Sequence, residues 1–229
     1  DYAEQQRVAL PAWTPGSYLV REFSKNLQNL RATQGTRAAT LRQLDKCSWQ
    51  VECVPAIPLV FVYEIYALDP SVRTAWLDPS RGFFNGTSLC LRVEGQEDQA
   101  HGLELVASEP IAHWQVATPA TAQKIDKNGF GSYLAAHYDE LVDCPVEMGT
   151  FRSGKFAAHG VPHRFVVAGA PASFDFDRLL ADAQKICEAE IRLWHGPAAK
   201  GTRPRAPQES YLFMLNAVDD GYGGLEHRT

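Results

Sequence analysis

The strongest constraint in the sequence is a change of hydrophobic period near residue 170. Before it, apolar residues alternate in short runs: Trp49, Val51 and Cys53 are separated by polar neighbours, and Phe61, Tyr63 and Ile65 continue the period of two in β-branched and aromatic company. Further runs at Leu103–Val106, His113–Val116 and Arg164–Ala168 lie between Gly, Pro and polar residues. That spacing predicts an antiparallel β-sandwich over residues 1–169. From Phe176 the period becomes three and four: Leu179, Leu180, Ala183, Ile186, Cys187, Ile191 and Trp194 form one stripe, with Asp182, Lys185, Glu188 and Arg192 opposite. This predicts a single amphipathic helix of about 20 residues, roughly 30 Å long. Gly169–Ser173 is read as the boundary and as a source of the helix N-cap, and Gly196-Pro197 as the stop.

After the polar stretch 200–208, Tyr211–Leu215 is a continuous apolar run, predicting a strand buried on both faces. A helix laid on a sheet thus begins after residue 170, and the chain reaches Thr229 with no closing element. The expectation is a mainly β N-terminal domain (1–169), sandwich- or saddle-like, followed by an incomplete α+β domain (170–229). Asn85-Gly86, flanked by runs within Arg81–Glu94, predicts a type I′ hairpin turn. Asn85-Gly86-Thr87 is also a glycosylation sequon, but the turn accounts for it without a secretory context.

Composition excludes several functions. With 22 Lys and Arg against 27 Asp and Glu, the formal charge is −5, which offers no overall positive field to a nucleic acid. The most apolar stretch, Ile57–Leu68, contains Pro58 and Glu64 and is too short to span a bilayer. Five cysteines, an odd number without C-x-x-C spacing, read as free thiols. A Cys47–Cys53 disulfide would need an oxidising compartment that nothing else indicates. The start at Asp1, with neither a Met nor a charged-then-apolar leader, reads as a targeting signal absent or already removed, which leaves the compartment open with the cytoplasm ahead of secretion.

Chemical motifs are scarce. There is no G-x-S-x-G, no phosphate-binding G-x-x-x-x-G-K, and none of the seven histidines is followed by Glu, so no H-E-x-x-H can be placed. His159 and His163 are four apart, but Gly160 and Pro162 forbid the helix that would align them, so they read as a surface turn entering a strand. The informative stretch is Gly223-Gly224-Leu225-Glu226, which by its residues alone reads either as an ordinary turn or as a substrate-binding edge. Two glycines let another backbone approach closely, and the extended residues beyond could pair with a peptide as an added strand. Glu226 would then offer a carboxylate to the peptide's α-amine. At about 4 Å and an effective dielectric of 20, such a pair attracts by roughly 4 kcal/mol before desolvation. Neighbouring side chains on an extended segment point to opposite sides, so Glu226 and His227 are not expected to share a ligand.

The sequence also resembles a known family. Leu10-Pro11-Ala12-Trp13-Thr14-Pro15-Gly16-Ser17-Tyr18 with Arg21-Glu22-Phe23, then Arg73–Asp78, Phe83–Ser88, Tyr138–Gly149 and Tyr222–Arg228, are similar in the same order to segments of the glycyl aminopeptidase family of zinc metallopeptidases. These are gluzincins related to aminopeptidase N and leukotriene A4 hydrolase. The resemblance implies a β-sandwich-like N-terminal domain, a thermolysin-like catalytic domain and often a PDZ domain. It implies release of small N-terminal residues, Gly or Ala, from peptides. In the wider group a G-x-M-E-N stretch binds the substrate edge and its Glu holds the amine. The matching positions are Gly223, Gly224, Leu225 and Glu226, with His227 in place of Asn, so the Asn role is not transferred. The family's H-E-x-x-H lies downstream, as do the third zinc ligand and a proposed transition-state tyrosine. This chain is therefore expected to contain no catalytic residue, to bind no zinc and to be inactive alone. An initial strand or so before Trp13 is also expected to be missing. The alternative is a non-catalytic binding module, which a stop codon directly after Thr229 would favour and an H-E-x-x-H in the continuing reading frame would exclude.

Overall fold

A computed structural model describes residues 4–17, 19–196, 206–221 and 223–228. Tyr18, Pro197, most of the 200–208 loop, Tyr222 and Thr229, which figure in the expectations above, lie outside the described residues. The strands in chain order are β1 (Gln5–Ala9), β2 (Leu27–Gln34), β3 (Arg37–Ala39), β4 (Leu41–Gln43), β5 (Ser48–Glu52), β6 (Leu59–Ile65), β7 (Ala75–Leu77), β8 (Arg81–Phe84), β9 (Arg92–Val93), β10 (His101–Leu105), β11 (Gln115–Ala117), β12 (Thr121–Ile125) and β13 (Gly131–Ala135). The short helix α1 (Tyr138–Asp143) follows, then β14 (Val146–Gly149), β15 (Arg152–Ala158), β16 (Val161–Ala168), the long helix α2 (Phe176–His195) and β17 (Tyr211–Asn216).

The fold is mainly β, in layered antiparallel sheets. Sheets β4-β5-β1-β9 and β3-β2-β6 enclose one core, where Val8, Leu10, Phe23 and Trp49 meet Leu30, Phe61 and Val93. Sheets β11-β14-β8-β7 and β10-β13-β12 enclose a second, with Trp114 and Val146 completely covered and Phe84, Phe130 and Tyr133 around them. Each such large side chain withdrawn from water contributes about 1.5–3 kcal/mol.

Asn85-Gly86 does not form the expected hairpin. Asn85 is extended (φ −90°), fully buried, and donates through Nδ2 to the Val72 carbonyl at 2.7 Å, while Gly86 opens a short 3₁₀ turn ending at Ser88. A Cβ at Gly86 would lie 2.7 Å from Val142 Cα, so the glycine serves the packing of α1. β8 pairs instead with β7 and β14, and β9 with β1.

The third group of strands, β15-β16-β17, is mixed: β16 runs antiparallel to β15 and parallel to β17. That parallel pairing joins residues on both sides of position 169 in one sheet. α2 spans the expected range, but its N-cap is Asp175, whose side chain accepts from the Arg178 amide at 3.0 Å, rather than a residue of 169–173. Its bare-backbone landing site is Gly154 on β15, where any Cβ would meet Leu180 and Phe176. Only part of the stripe is covered: Phe176 and Ile191 are buried, whereas Ile186 and Trp194 are exposed. β17 is half-buried rather than covered on both faces. His159 occupies a turn with positive φ that leads into β16, as expected, and His163 lies within that strand, buried and stacked on Phe156. Among the described residues no disulfide links the cysteines, and no described helix is long and apolar enough to cross a membrane.

Candidate functional site

Residues 223–228 follow β17 without regular structure, and three distant parts of the chain hold them. The Arg73 Nη2 donates to the Gly224 carbonyl at 3.1 Å. Asp143 Oδ1 meets His227 Nδ1 at 3.0 Å, and Asp143 Oδ2 accepts from the Arg228 amide at 2.9 Å. Gly16 (φ +78°) passes so close that a Cβ there would lie 2.9 Å from the Glu226 carbonyl and 3.1 Å from Leu225 Cδ1.

Each of these supports is itself braced. The loop carrying Arg73 is folded by Asp69 and Ser71: the Ser71 amide donates to Asp69 Oδ1 at 2.9 Å, and Thr74 Oγ1 reaches the carbonyls of both. Such side-chain turns are the usual work of Asp and Ser. Thr14 Oγ1 donates to the Arg73 carbonyl at 3.3 Å and lies 3.1 Å from Thr87 Oγ1 in a buried hydroxyl pair. Asp143 closes α1, which His137 caps at its start by accepting from the Glu140 amide. Tyr138, Leu141 and Val142 anchor that helix in the core.

Along the extended segment the side chains alternate. Gly223, Gly224, Leu225 and His227 line a cleft of about 200 Å³ whose other walls include Val72, Phe83, Tyr211 and Phe213. Glu226 does not line it; the side chain is exposed, and its Oε1 lies beside Gly16. Space for a Cβ at Gly224 is open, so one flank of the glycine pair remains accessible within the described residues.

The floor of the cleft carries a buried ion pair. Arg81 Nε and Nη2 each donate to one oxygen of Glu147 at 2.7 Å, a bidentate arrangement on neighbouring strands β8 and β14. Arg81 also lies 5.1 Å over the Phe83 ring. Burial pushes the Glu147 carboxyl above its ordinary value, with Arg81 opposing the shift. Tyr211 is likewise raised, first by burial and then by the charges of Cys187 and Glu226.

The four residues singled out in the sequence are therefore together, three in the cleft wall and Glu226 on the outer flank. Arg73, Asp143 and Gly16 escaped sequence reasoning because nothing local connects them to residue 226, although each lies inside one of the segments that carried the family resemblance. No group of three His, Cys, Asp or Glu side chains that could hold a metal ion occurs among the described residues. These residues do not fit a zinc site.

The chain has clear likenesses among known proteins. An aminopeptidase N family protein from Idiomarina loihiensis is 39% identical over 100% of this chain, with a TM-score of 0.91, and this chain spans 37% of its length. Aminopeptidase A of Legionella pneumophila, solved in complex with aspartic acid, shares the fold at 10% identity and a TM-score of 0.51, over 96% of this chain and 25% of its own. The M1 zinc metallopeptidase of Deinococcus radiodurans aligns more loosely, with 12% identity and a TM-score of 0.46 over 93% of this chain and 48% of its own. No curated protein matches. The model for the peptidase M61 N-terminal domain matches residues 2–150, and the chain belongs to the peptidase M61 family.

Proposed function

We propose that this chain is the N-terminal domain and the opening of the catalytic domain of a zinc-dependent aminopeptidase that releases small N-terminal residues, Gly or Ala, from peptides. The observation that carries the reading is the outward Glu226 carboxylate on a backbone gripped from behind by Arg73, Asp143 and Gly16. A free α-amine, mostly protonated at neutral pH, is the ligand such a carboxylate would select. The glycine pair leaves room for the peptide backbone alongside. The family and the likeness to the Idiomarina protein support the peptidase assignment. Zinc, water activation and proton transfer belong to parts of the enzyme beyond these residues. Because β15 and β16 share a sheet with β17, the start of the catalytic domain is taken to be β15 rather than residue 170. The partners of this chain are the peptide, the remaining catalytic domain and, following the family pattern, a PDZ domain.

In the full-length enzyme, Glu226→Gln is expected to lower kcat/KM on free-amine peptides by roughly ten- to hundredfold, the size of one lost charged hydrogen bond. N-acetylated peptides should be nearly unaffected. Equal losses on both would exclude Glu226 as the amine anchor. A series of Gly-, Ala- and Leu-initiated substrates tests the preference for small residues.

A further inference from the structure

We infer that Asp143 and Arg73 are positioning residues for the amine anchor: acting from the N-terminal β region, they fix the backbone on both sides of Glu226 and so set where its carboxylate stands. The inference rests on the reading of Glu226 as the amine anchor. Arg73 holds the carbonyl two residues before it, and Asp143 holds the side chain one residue after it and the amide two residues after it. Gly16 limits the same stretch by contact with the Leu225 side chain and the Glu226 carbonyl.

The geometry makes these contacts matter. Gly223-Gly224 is the least restrained kind of backbone, since glycine has access to both signs of φ. No β-ladder among the described residues includes 223–228, so the strand pairing that usually fixes a substrate-binding edge is replaced here by side-chain contacts. Asp143 is well placed to supply them. Buried at the end of α1, it presents both oxygens to the segment, one to the ring and one to the amide. Its packing role is small beside that of Tyr138, Leu141 and Val142, which hold α1 in the core. Arg73 is half-exposed and contributes its guanidinium to Gly224, with Nη1 placed 3.6 Å from where a Cβ on Gly223 would be. Neither residue is shown touching the Glu226 carboxylate. Their effect on the amine would pass through the position of that carboxylate, and a displacement of about 1 Å in a binding group can cost roughly a hundredfold in rate.

The test uses the full-length enzyme with Asp143→Ala, Arg73→Ala and Glu226→Gln, singly and combined, on matched free-amine and N-acetylated peptides. For Asp143→Ala and Arg73→Ala, kcat/KM on free-amine peptides is expected to fall about tenfold or more, with the acetylated peptides within about twofold of wild type. On the Glu226→Gln background neither change should alter the ratio further, because the group being positioned is gone. Asp143→Asn, which keeps an acceptor for the Arg228 amide, should restore part of the selectivity. Hydrogen exchange at that amide should be faster in Asp143→Ala than in wild type. If Glu226→Gln lowers the ratio while the other two leave it unchanged, or lower both activities alike, the positioning role is overturned. If Asp143→Ala does not fold, Arg73→Ala decides the matter by the same ratio. A Glu226→Gln single variant with unchanged selectivity removes the amine anchor itself, and the positioning role with it.

Discussion

Replacing Arg81 by Met breaks the buried ion pair that borders the cleft. Glu147 is 3% exposed and Arg81 13%, and their bidentate pairing ties β8 to β14. Removing one partner of a buried pair strands a charge and costs about 3–5 kcal/mol, whereas replacing both with apolar groups is often neutral or better. With a urea m-value of about 2–3 kcal/mol/M, the midpoint should fall by roughly 1–2.5 M in Arg81→Met and recover most of that in Arg81→Met/Glu147→Leu. The pH dependence has a definite sign. Burial already holds the Glu147 carboxyl above its unfolded value, and losing Arg81 removes the opposing influence. The folded variant then retains a proton that the unfolded chain releases above about pH 4.3, so its stability rises as the pH is lowered from neutral toward that value. The double variant lacks the carboxyl, and the gap between the two should narrow on acidification. Urea unfolding followed by tryptophan fluorescence, near neutral pH and near pH 5, measures both effects. A single variant within about 1 kcal/mol of wild type, or a gap that does not change with pH, would refute the account.

Two further outcomes follow from the contacts described. Gly16→Ala places a Cβ 2.9 Å from the Glu226 carbonyl at a φ of +78°, so it should cost about 1–2 kcal/mol and reduce turnover of free-amine peptides more than of acetylated ones; paired melting and kinetic assays check this. Asp175→Ala removes the cap that accepts from the Arg178 amide and should cost about 0.5–2 kcal/mol, read as a lower midpoint with an unchanged m-value and unchanged substrate selectivity.

What could be read from the sequence was what local spacing determines. α2 was visible because a 3.6-residue stripe persists over its whole length, and β5 and β6 because period-two alternation coincides with aromatic and β-branched residues. Asn85-Gly86 misled because the same dipeptide that suits a tight turn also suits a buried amide beside a bare backbone. Asn85 satisfies the Val72 carbonyl and Gly86 makes room for Val142, both tertiary demands invisible at that spacing. The turn at His159-Gly160 leading into a strand was legible too, whereas the packing of His163 among Phe156, Tyr211 and Phe213 depends on strands brought together by the fold. At the site, Gly223 to Glu226 could be singled out by a glycine pair ahead of an acidic residue and by the family resemblance. The residues that hold them could not, because Gly16, Arg73 and Asp143 reach residues 224–228 only through the completed fold.

Gly16 lies far from Leu225 and Glu226 along the sequence, and yet they are in contact. A very long loop, holding every strand except β1 between them, must close before that contact can form, and the entropy of closure rises with the length enclosed. On the ribosome the first of these segments emerges long before its counterpart exists. Native conformation at Glu226 is thus a late event in folding, and a chain trapped partway would have its sandwich cores in place while presenting a disordered ledge.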